Sequence, residues 1–211
     1  MGKRDESATR RRIVDAAYES FWRSGFGRTS LDGIAARAGI TKRTLYAYFR
    51  SKDDLLADVL EHYAELAMAR IEHIGRRMPV GRDAMLETFF GKLAGWAAGT
   101  PRWSGSTGTG EVDPCPLTPV ELEWALCPDP VFELGDLPGH PARAIARRAK
   151  AAMETWLGQR LVRARVAAPR QRAREIMLLM EGAMALTLIH GGRAYIDAAC
   201  RAAKHLVRRR S

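Results

Sequence analysis

The chain has 211 residues, of which 46% are hydrophobic, so it can bury a core and should form one domain or two small ones. Its longest stretch without Asp, Glu, Lys or Arg covers only residues 182–192, whereas a membrane-spanning helix needs roughly 20 residues. The formal net charge of +10 favours a polyanionic partner. The charge is uneven, at +5 over residues 1–55, −7 over residues 56–141 and +12 over residues 142–211, and solvated helix faces explain this imbalance equally well.

Apolar residues spaced three and four apart predict four helices near the start of the chain. These helices are expected over residues 8–24, 31–38, 41–49 and 51–75. Gly39 supplies a permissive backbone for a sharp turn between the second and third helices. The side chains predicted to cap the second, third and fourth helices are Ser30, Thr41 and Ser51.

Helical spacing resumes in the second half of the sequence. It predicts helices over residues 82–98, 141–166, 170–189 and 193–207. Residues 99–139 are rich in Gly and Pro, which indicates an irregular loop that is long for a compact domain. Because no segment alternates apolar and polar residues as a strand does, the predicted fold class is all-α.

Residues 31–49 have the spacing of a helix-turn-helix motif, with Ala35, then Gly39 four residues later, then Leu45 six residues after that. The motif needs a small residue where the two helices cross, a flexible residue in the turn and an apolar residue that packs against the first helix. On the second helix of the motif, donors and small side chains remain on the outer face, and they suit the base edges of a DNA major groove. These outward residues are Thr41, Lys42, Arg43, Thr44, Ala47 and Tyr48.

Residues 29–55 resemble the N-terminal DNA-binding domain of TetR-type bacterial transcriptional regulators, and the resemblance extends back to Ile13. It implies a three-helix helix-turn-helix DNA-binding domain over residues 1–52. A helical regulatory, effector-binding and dimerisation domain then follows over residues 53–211. The resemblance further implies that the major groove is read by Thr41, Lys42, Arg43 and Thr44. It implies that DNA phosphates are held by Thr29, Ser30, Tyr46, Tyr48 and Lys52.

The last two predicted helices carry many small residues and more Leu and Met than one helix can bury alone, which favours a four-helix bundle with a second subunit. An intramolecular core is the alternative. The residues assigned to the dimer interface are Gly182, Ala183, Leu186, Ile189, Ala198 and Ala202. A homodimer would place its two recognition helices on a pseudo-palindromic operator in double-stranded DNA.

By the same resemblance, a small-molecule effector is expected to bind the C-terminal domain and release the DNA. Apolar side chains could line its pocket, although such a set is more often ordinary core. The candidates are Met85, Phe89, Leu93, Trp96, Trp103, Trp156, Met177 and Met180.

The expected function is therefore a cytoplasmic, sequence-specific transcriptional regulator, a repressor, with no catalytic site, cofactor or metal and no association with a membrane. The His and Cys residues have no metal-ligand spacing, and no Gly-x4-Gly-Lys-Ser/Thr phosphate loop is present. Two alternatives stay open. One is a DNA-binding regulator that senses oxidation through Cys115 and Cys127, and the other is an all-helical enzyme whose basic ends are incidental.

Overall fold

A computed structural model describes residues 3–97 and 141–208, and within these residues the chain is helical, without strands. This confirms the predicted all-α fold class. The helices are α1 (Lys3–Ser24), α2 (Leu31–Arg37), α3 (Lys42–Tyr48), α4 (Lys52–Arg76), α5 (Arg82–Ala97), α6 (Pro141–Arg163), α7 (Pro169–His190) and α8 (Ala194–Arg208).

Two helix ends differ from the sequence prediction by more than two residues. Helix α1 begins at Lys3, five residues early, because the charged residues before Thr9 extend the helix without contributing to the apolar pattern. Asp5 and Glu6 lie in its first turn, where the helix dipole favours negative charge. Helix α6 ends at Arg163 instead of continuing to residue 166, since Arg165 adopts a left-handed backbone conformation with φ of 53°.

The first compact unit contains α1, α2, α3, the first part of α4 and the first turns of α6. Helix α2 packs against both α1 and α3. Large apolar side chains from all of the first four helices are completely or almost completely buried, and they form a small core. Its main members are Ile13, Phe21, Ile34, Leu45, Leu55, Leu56 and Val59.

The second compact unit contains the remainder of α4 and α6 together with α5, α7 and α8. Helix α8 packs along both α7 and α5. Ion pairs join α8 to α5, from Lys204 to Glu87 and from Arg208 to Asp83. The core residues of this unit include Leu86, Phe90, Leu93, Met153, Leu157, Leu161, Ile176, Met180 and Ala203.

The boundary between the compact units divides α4 after Ala64 and α6 after Arg148. The predicted division between residues 52 and 53 separates a DNA-binding domain from a regulatory and dimerisation domain by function, and it stays a prediction. Within the described ranges, no helix is long and apolar enough to cross a membrane. The Gly- and Pro-rich segment over residues 99–139 lies outside the described residues.

Candidate nucleic-acid interface

The turn between α2 and α3 is closed by backbone geometry that requires Gly39. Gly39 has a φ of +64°, in the left-handed region that side chains disfavour. Its amide donates to the carbonyl of Ala36 at 3.1 Å, and the amide of Ile40 donates to the carbonyl of Ala35 at 3.0 Å. This pair of hydrogen bonds is a Schellman motif, which ends α2 and satisfies its last carbonyls.

The inner face of the helix pair fits the reasons given for the motif. Ala35 is 3% exposed, and Ile34 and Leu45 are completely buried. Ile40 is only half-buried. The small residue at position 35 therefore lies inside the packed core, where a longer side chain would push the helices apart.

Each of the three predicted caps is confirmed. The hydroxyl of Ser30 accepts from the amide of Gly33 at 3.1 Å, and that of Thr41 accepts from the amide of Thr44 at 3.1 Å. Ser51 accepts from the amide of Asp54 at 3.0 Å. Each of these hydroxyls satisfies one of the first-turn amides that have no acceptor within the helix.

The outer face of α3 carries two cations, Lys42 and Arg43, which differ in whether an acid pairs with them among the described residues. The Nζ of Lys42 lies 2.8 Å from Oδ1 of Asp32, and the hydrogen bond with that carboxylate raises the pKa of Lys42. Arg43 is exposed and forms no ion pair or side-chain hydrogen bond within the residues that the structure describes. Tyr46 is 47% exposed, whereas Tyr48 is half-buried. Arg43 is therefore the cation of α3 that can meet a ligand without first leaving an acid.

The side chain of Thr29 is held within the protein. It is buried, and its hydroxyl points at the carbonyls of Gly25, 2.7 Å away, and Ser20, 3.0 Å away. The hydroxyl thus closes the end of α1. The predicted contact of Thr29 with a DNA phosphate stays a prediction.

Lys52, at the start of α4, is held by backbone carbonyls of the α1–α2 connection. Its Nζ donates to Phe26 O at 2.8 Å and to Thr29 O at 3.0 Å, with Gly27 O at 3.4 Å. The ammonium also lies 4.3 Å from the centre of the Phe26 ring, a cation–π distance. Lys52 therefore ties α4 to the connection that leads into α2.

Two arginines of α1 have similar structural contacts that sequence reasoning missed. Arg12 donates to the carbonyl of Ala38, in the turn of the motif, at 3.0 Å. Arg10 pairs with Asp58 at 2.5 Å and lies 5.3 Å from the centre of the Phe49 ring. The partners are 26 to 48 residues apart in sequence, so no local spacing could have indicated them.

In the second unit, the candidate pocket residues are all buried where the structure describes them. The rings of Phe89 and Trp156 lie 6.1 Å apart. Trp103 and the side chain of Trp96 lie outside the described residues. The other buried candidates are Met85, Leu93, Met177 and Met180.

The predicted dimer residues divide between two faces. Ile189 is 75% exposed and Leu186 is 39% exposed, and Leu178, which the prediction omitted from the interface, is 70% exposed. Gly182 and Ala198 are exposed as well, and Ala202 is half-buried. Ala183 is 6% exposed and packs within the single chain, and its assignment to the interface stays a prediction.

No three potential metal-ligating side chains come together among residues 3–97 and 141–208. Cys115 and Cys127 lie outside this part of the chain. Burial raises the pKa of the Cys200 thiol, which keeps it protonated and poorly reactive.

Residues 13–59, from α1 to the first turns of α4, match the family model described as bacterial regulatory proteins of the tetR family. The N-terminal part of the chain is therefore similar to the DNA-binding domain of TetR-family regulators. This match confirms the resemblance carried by the sequence motifs. It places Ala35, Gly39 and Arg43 within the TetR-type domain.

Curated relatives match about 60 residues of the chain. The HTH-type transcriptional repressor SCO4008 of Streptomyces coelicolor is 44% identical over 61 residues, 29% of this chain and 32% of that protein. The HTH-type transcriptional regulator AcrR of Shigella flexneri is 37% identical over 59 residues, 28% of this chain and 27% of that protein. TtgR of Pseudomonas putida is 35% identical over 63 residues, 30% of each chain. The chain thus spans about a third of the length of these relatives.

Solved structures share the fold over nearly the whole chain. Reduced Escherichia coli NemR superposes with a TM-score of 0.73 at 17% identity, covering 94% of this chain and 97% of that one. SCO4454, a TetR-family transcriptional regulator from Streptomyces coelicolor, superposes with a TM-score of 0.72 at 20% identity, covering 96% and 95%. The predicted layout, a TetR-type domain followed by a helical domain, is confirmed.

Replacing Lys52 with methionine should lower the free energy of unfolding by about 2 kcal/mol, because the ammonium group that donates hydrogen bonds to backbone carbonyls is lost while an apolar side chain of similar length remains. Urea denaturation followed by circular dichroism measures the change. The matched control is Lys92→Met, which removes the same charge from an exposed position on α5. Equal stability of the two variants would contradict the structural role of Lys52.

Proposed function

We propose that this protein is a sequence-specific DNA-binding transcriptional regulator, a repressor that a small-molecule effector releases from its operator. The observation that carries the proposal is Arg43, an exposed guanidinium near the N-terminus of α3 that has no acid partner among the described residues. In helix-turn-helix proteins this part of the second helix reaches the base edges. The names of the relatives, transcriptional repressor and transcriptional regulator, support the same reading.

The residues around Arg43 suit the two kinds of DNA contact. Thr44 and Lys42 lie on the same short helix and carry groups that can donate to bases. For Lys42, this requires that its ion pair with Asp32 opens. Ser30 and Thr41 stand at helix starts, where first-turn amides favour a phosphate. Tyr46 and Tyr48 add phenolic donors for the DNA backbone. The interface we propose consists of Ser30, Thr41, Lys42, Arg43, Thr44, Tyr46 and Tyr48.

We propose that two copies pair through α7. Its exposed apolar residues follow one another at intervals of four, four and three, so they form one stripe along the helix. Such a stripe is costly in water, and a second copy related by a two-fold axis can cover it with the same stripe. The stripe consists of Leu178, Gly182, Leu186 and Ile189.

Pairing also suits the proposed DNA target. Two recognition helices about 34 Å apart match successive major grooves on one side of the duplex, so a pseudo-palindrome is expected. A regulator of this kind works in the cytoplasm, beside the bacterial chromosome. No observation within the described residues favours the oxidation-sensing or enzymatic alternatives.

Replacing Arg43 with alanine should cost about 1–3 kcal/mol on a duplex selected from random sequence by the wild-type protein, and it should relax the base preference at one position of each half-site. The matched control is Arg50→Ala, an exposed arginine just beyond α3 that should affect all sequences alike. Fluorescence anisotropy on the selected and scrambled duplexes measures both effects. Equal losses on the two duplexes for Arg43→Ala would refute the base-reading role.

Replacing Leu178 with glutamate should weaken dimerisation by tenfold or more, since two carboxylates would be brought into an apolar contact. The 70% exposure of Leu178 means that the fold of the single chain should be unaffected. Val80→Glu is the control, because Val80 is 74% exposed in the turn before α5. Sedimentation equilibrium gives the dissociation constants, and a Leu178→Glu variant as dimeric as Val80→Glu would rule out pairing through the stripe.

A further inference from the structure

Arg160, on α6 in the second unit, is a half-buried cation that has no acid partner in the part of the chain that the structure describes. Its guanidinium carbon lies 5.4 Å from the centre of the Trp156 ring, one turn earlier on the same helix. It forms no ion pair or side-chain hydrogen bond within the described residues. Several acids of the same unit already pair with other cations. These pairs are Asp83–Arg208, Glu87–Lys204, Glu154–Arg174, Glu175–Arg172 and Glu181–Lys150.

The electrostatic surroundings of Arg160 lack a stabilising carboxylate among the described residues. Burial lowers the pKa of Arg160, and the positive charge of Arg163 lowers it further. A nearby carboxylate would act in the opposite direction by stabilising the charged form. Arg160 is thus positioned to gain from an anion that the described residues do not supply.

The indole of Trp156 has a second unused donor. The side chain is 7% exposed, and its Nε1–H is buried without a hydrogen-bond acceptor in the described part of the chain. A buried donor left unsatisfied is uncommon in folded proteins and costs free energy. An acceptor arriving from outside the protein would satisfy it.

Gly75 of α4 brings these two donors to one place. A Cβ added at this position would lie 3.0 Å from Cζ2 of Trp156 and closer still to Nη2 of Arg160. Cζ2 is two bonds from Nε1 within the indole ring. The guanidinium and the edge of the indole that carries the N–H therefore both face the glycine, and a side chain there would displace them.

We propose that Arg160 and Trp156, beside Gly75, bind the acidic group of an organic anion whose apolar part packs along Phe89. The ligand class is an aromatic or aliphatic acid, with a carboxylate or sulfonate accepting from the guanidinium and the indole N–H. This inference rests on the proposed function, because it names the chemical class of the effector. Phe89, 6.1 Å from Trp156 between ring centres, supplies an apolar ring beside the indole.

Two dyes that differ by one acidic group test the inference on the full chain. The anionic probe is 8-anilinonaphthalene-1-sulfonate, and the neutral probe is N-phenyl-1-naphthylamine, which lacks the sulfonate. Titration by dye fluorescence should show the sulfonate bound about tenfold more tightly than the neutral dye, as charge-assisted hydrogen bonds are strong in buried surroundings. Arg160→Gln should abolish that preference and leave the affinity for the neutral dye unchanged.

Two further variants make the result specific. Arg163→Gln removes the same charge from an exposed position on α6 and should retain the preference for the sulfonate. Trp156→Phe keeps a ring but lacks the N–H, so it should lower the affinity for the sulfonate several-fold even if Arg160→Gln does not fold. Equal affinities of the two dyes for the wild type, no binding of either dye, or equal losses in Arg160→Gln and Arg163→Gln would overturn the inference. Duplex binding by the same wild-type preparation judges the proposed function separately.

Discussion

The close crossing of α2 and α3 is the constraint on which the proposed DNA-binding face depends. Ala35 lets the helices approach, and Gly39 turns the chain through a left-handed conformation within a few residues. Leu45 then packs inward against the same core as Phe21. Because the inner face of α3 is fixed in this way, Arg43 can only point outward. The position of the residue proposed to read bases therefore follows from packing on the opposite side of its helix.

Cations that donate to backbone carbonyls hold the connections around this core. Arg12 reaches Ala38 in the turn of the motif, and Lys52 reaches Phe26 and Thr29 before α2. Each contact satisfies a carbonyl that no helix uses, so the basic residues of the N-terminal domain have two separate roles. Arg12 and Lys52 stabilise the connections on either side of α2, whereas Arg43 remains available to a polyanion.

Local features of the fold were predictable from the sequence, and long-range polar contacts were not. Most helix limits, the caps at Ser30 and Thr41 and the turn at Gly39 depend on neighbouring residues, so spacing and residue type were sufficient for them. The start of α1 and the end of α6 were the exceptions. The burial of Thr29 depends on carbonyls at the end of α1, and the site of Lys52 depends on a connection more than twenty residues away. In the second unit, periodicity separated apolar residues from polar ones. It could not show that Ala183 faces the core of the chain while Ile189 faces outward, because apolar residues occur on both the buried and the exposed faces of α7.

Sequence-specific DNA binding by the outer face of α3 is the central proposal, and the most direct test is the affinity of the wild-type chain for duplex DNA. Fluorescence anisotropy should compare a duplex selected by the protein from random sequence with a scrambled duplex of the same length and composition, at several salt concentrations. We expect a preference of about 10³-fold or more and an affinity that falls steeply as salt rises. Equal affinity for the two duplexes at every salt concentration would contradict it.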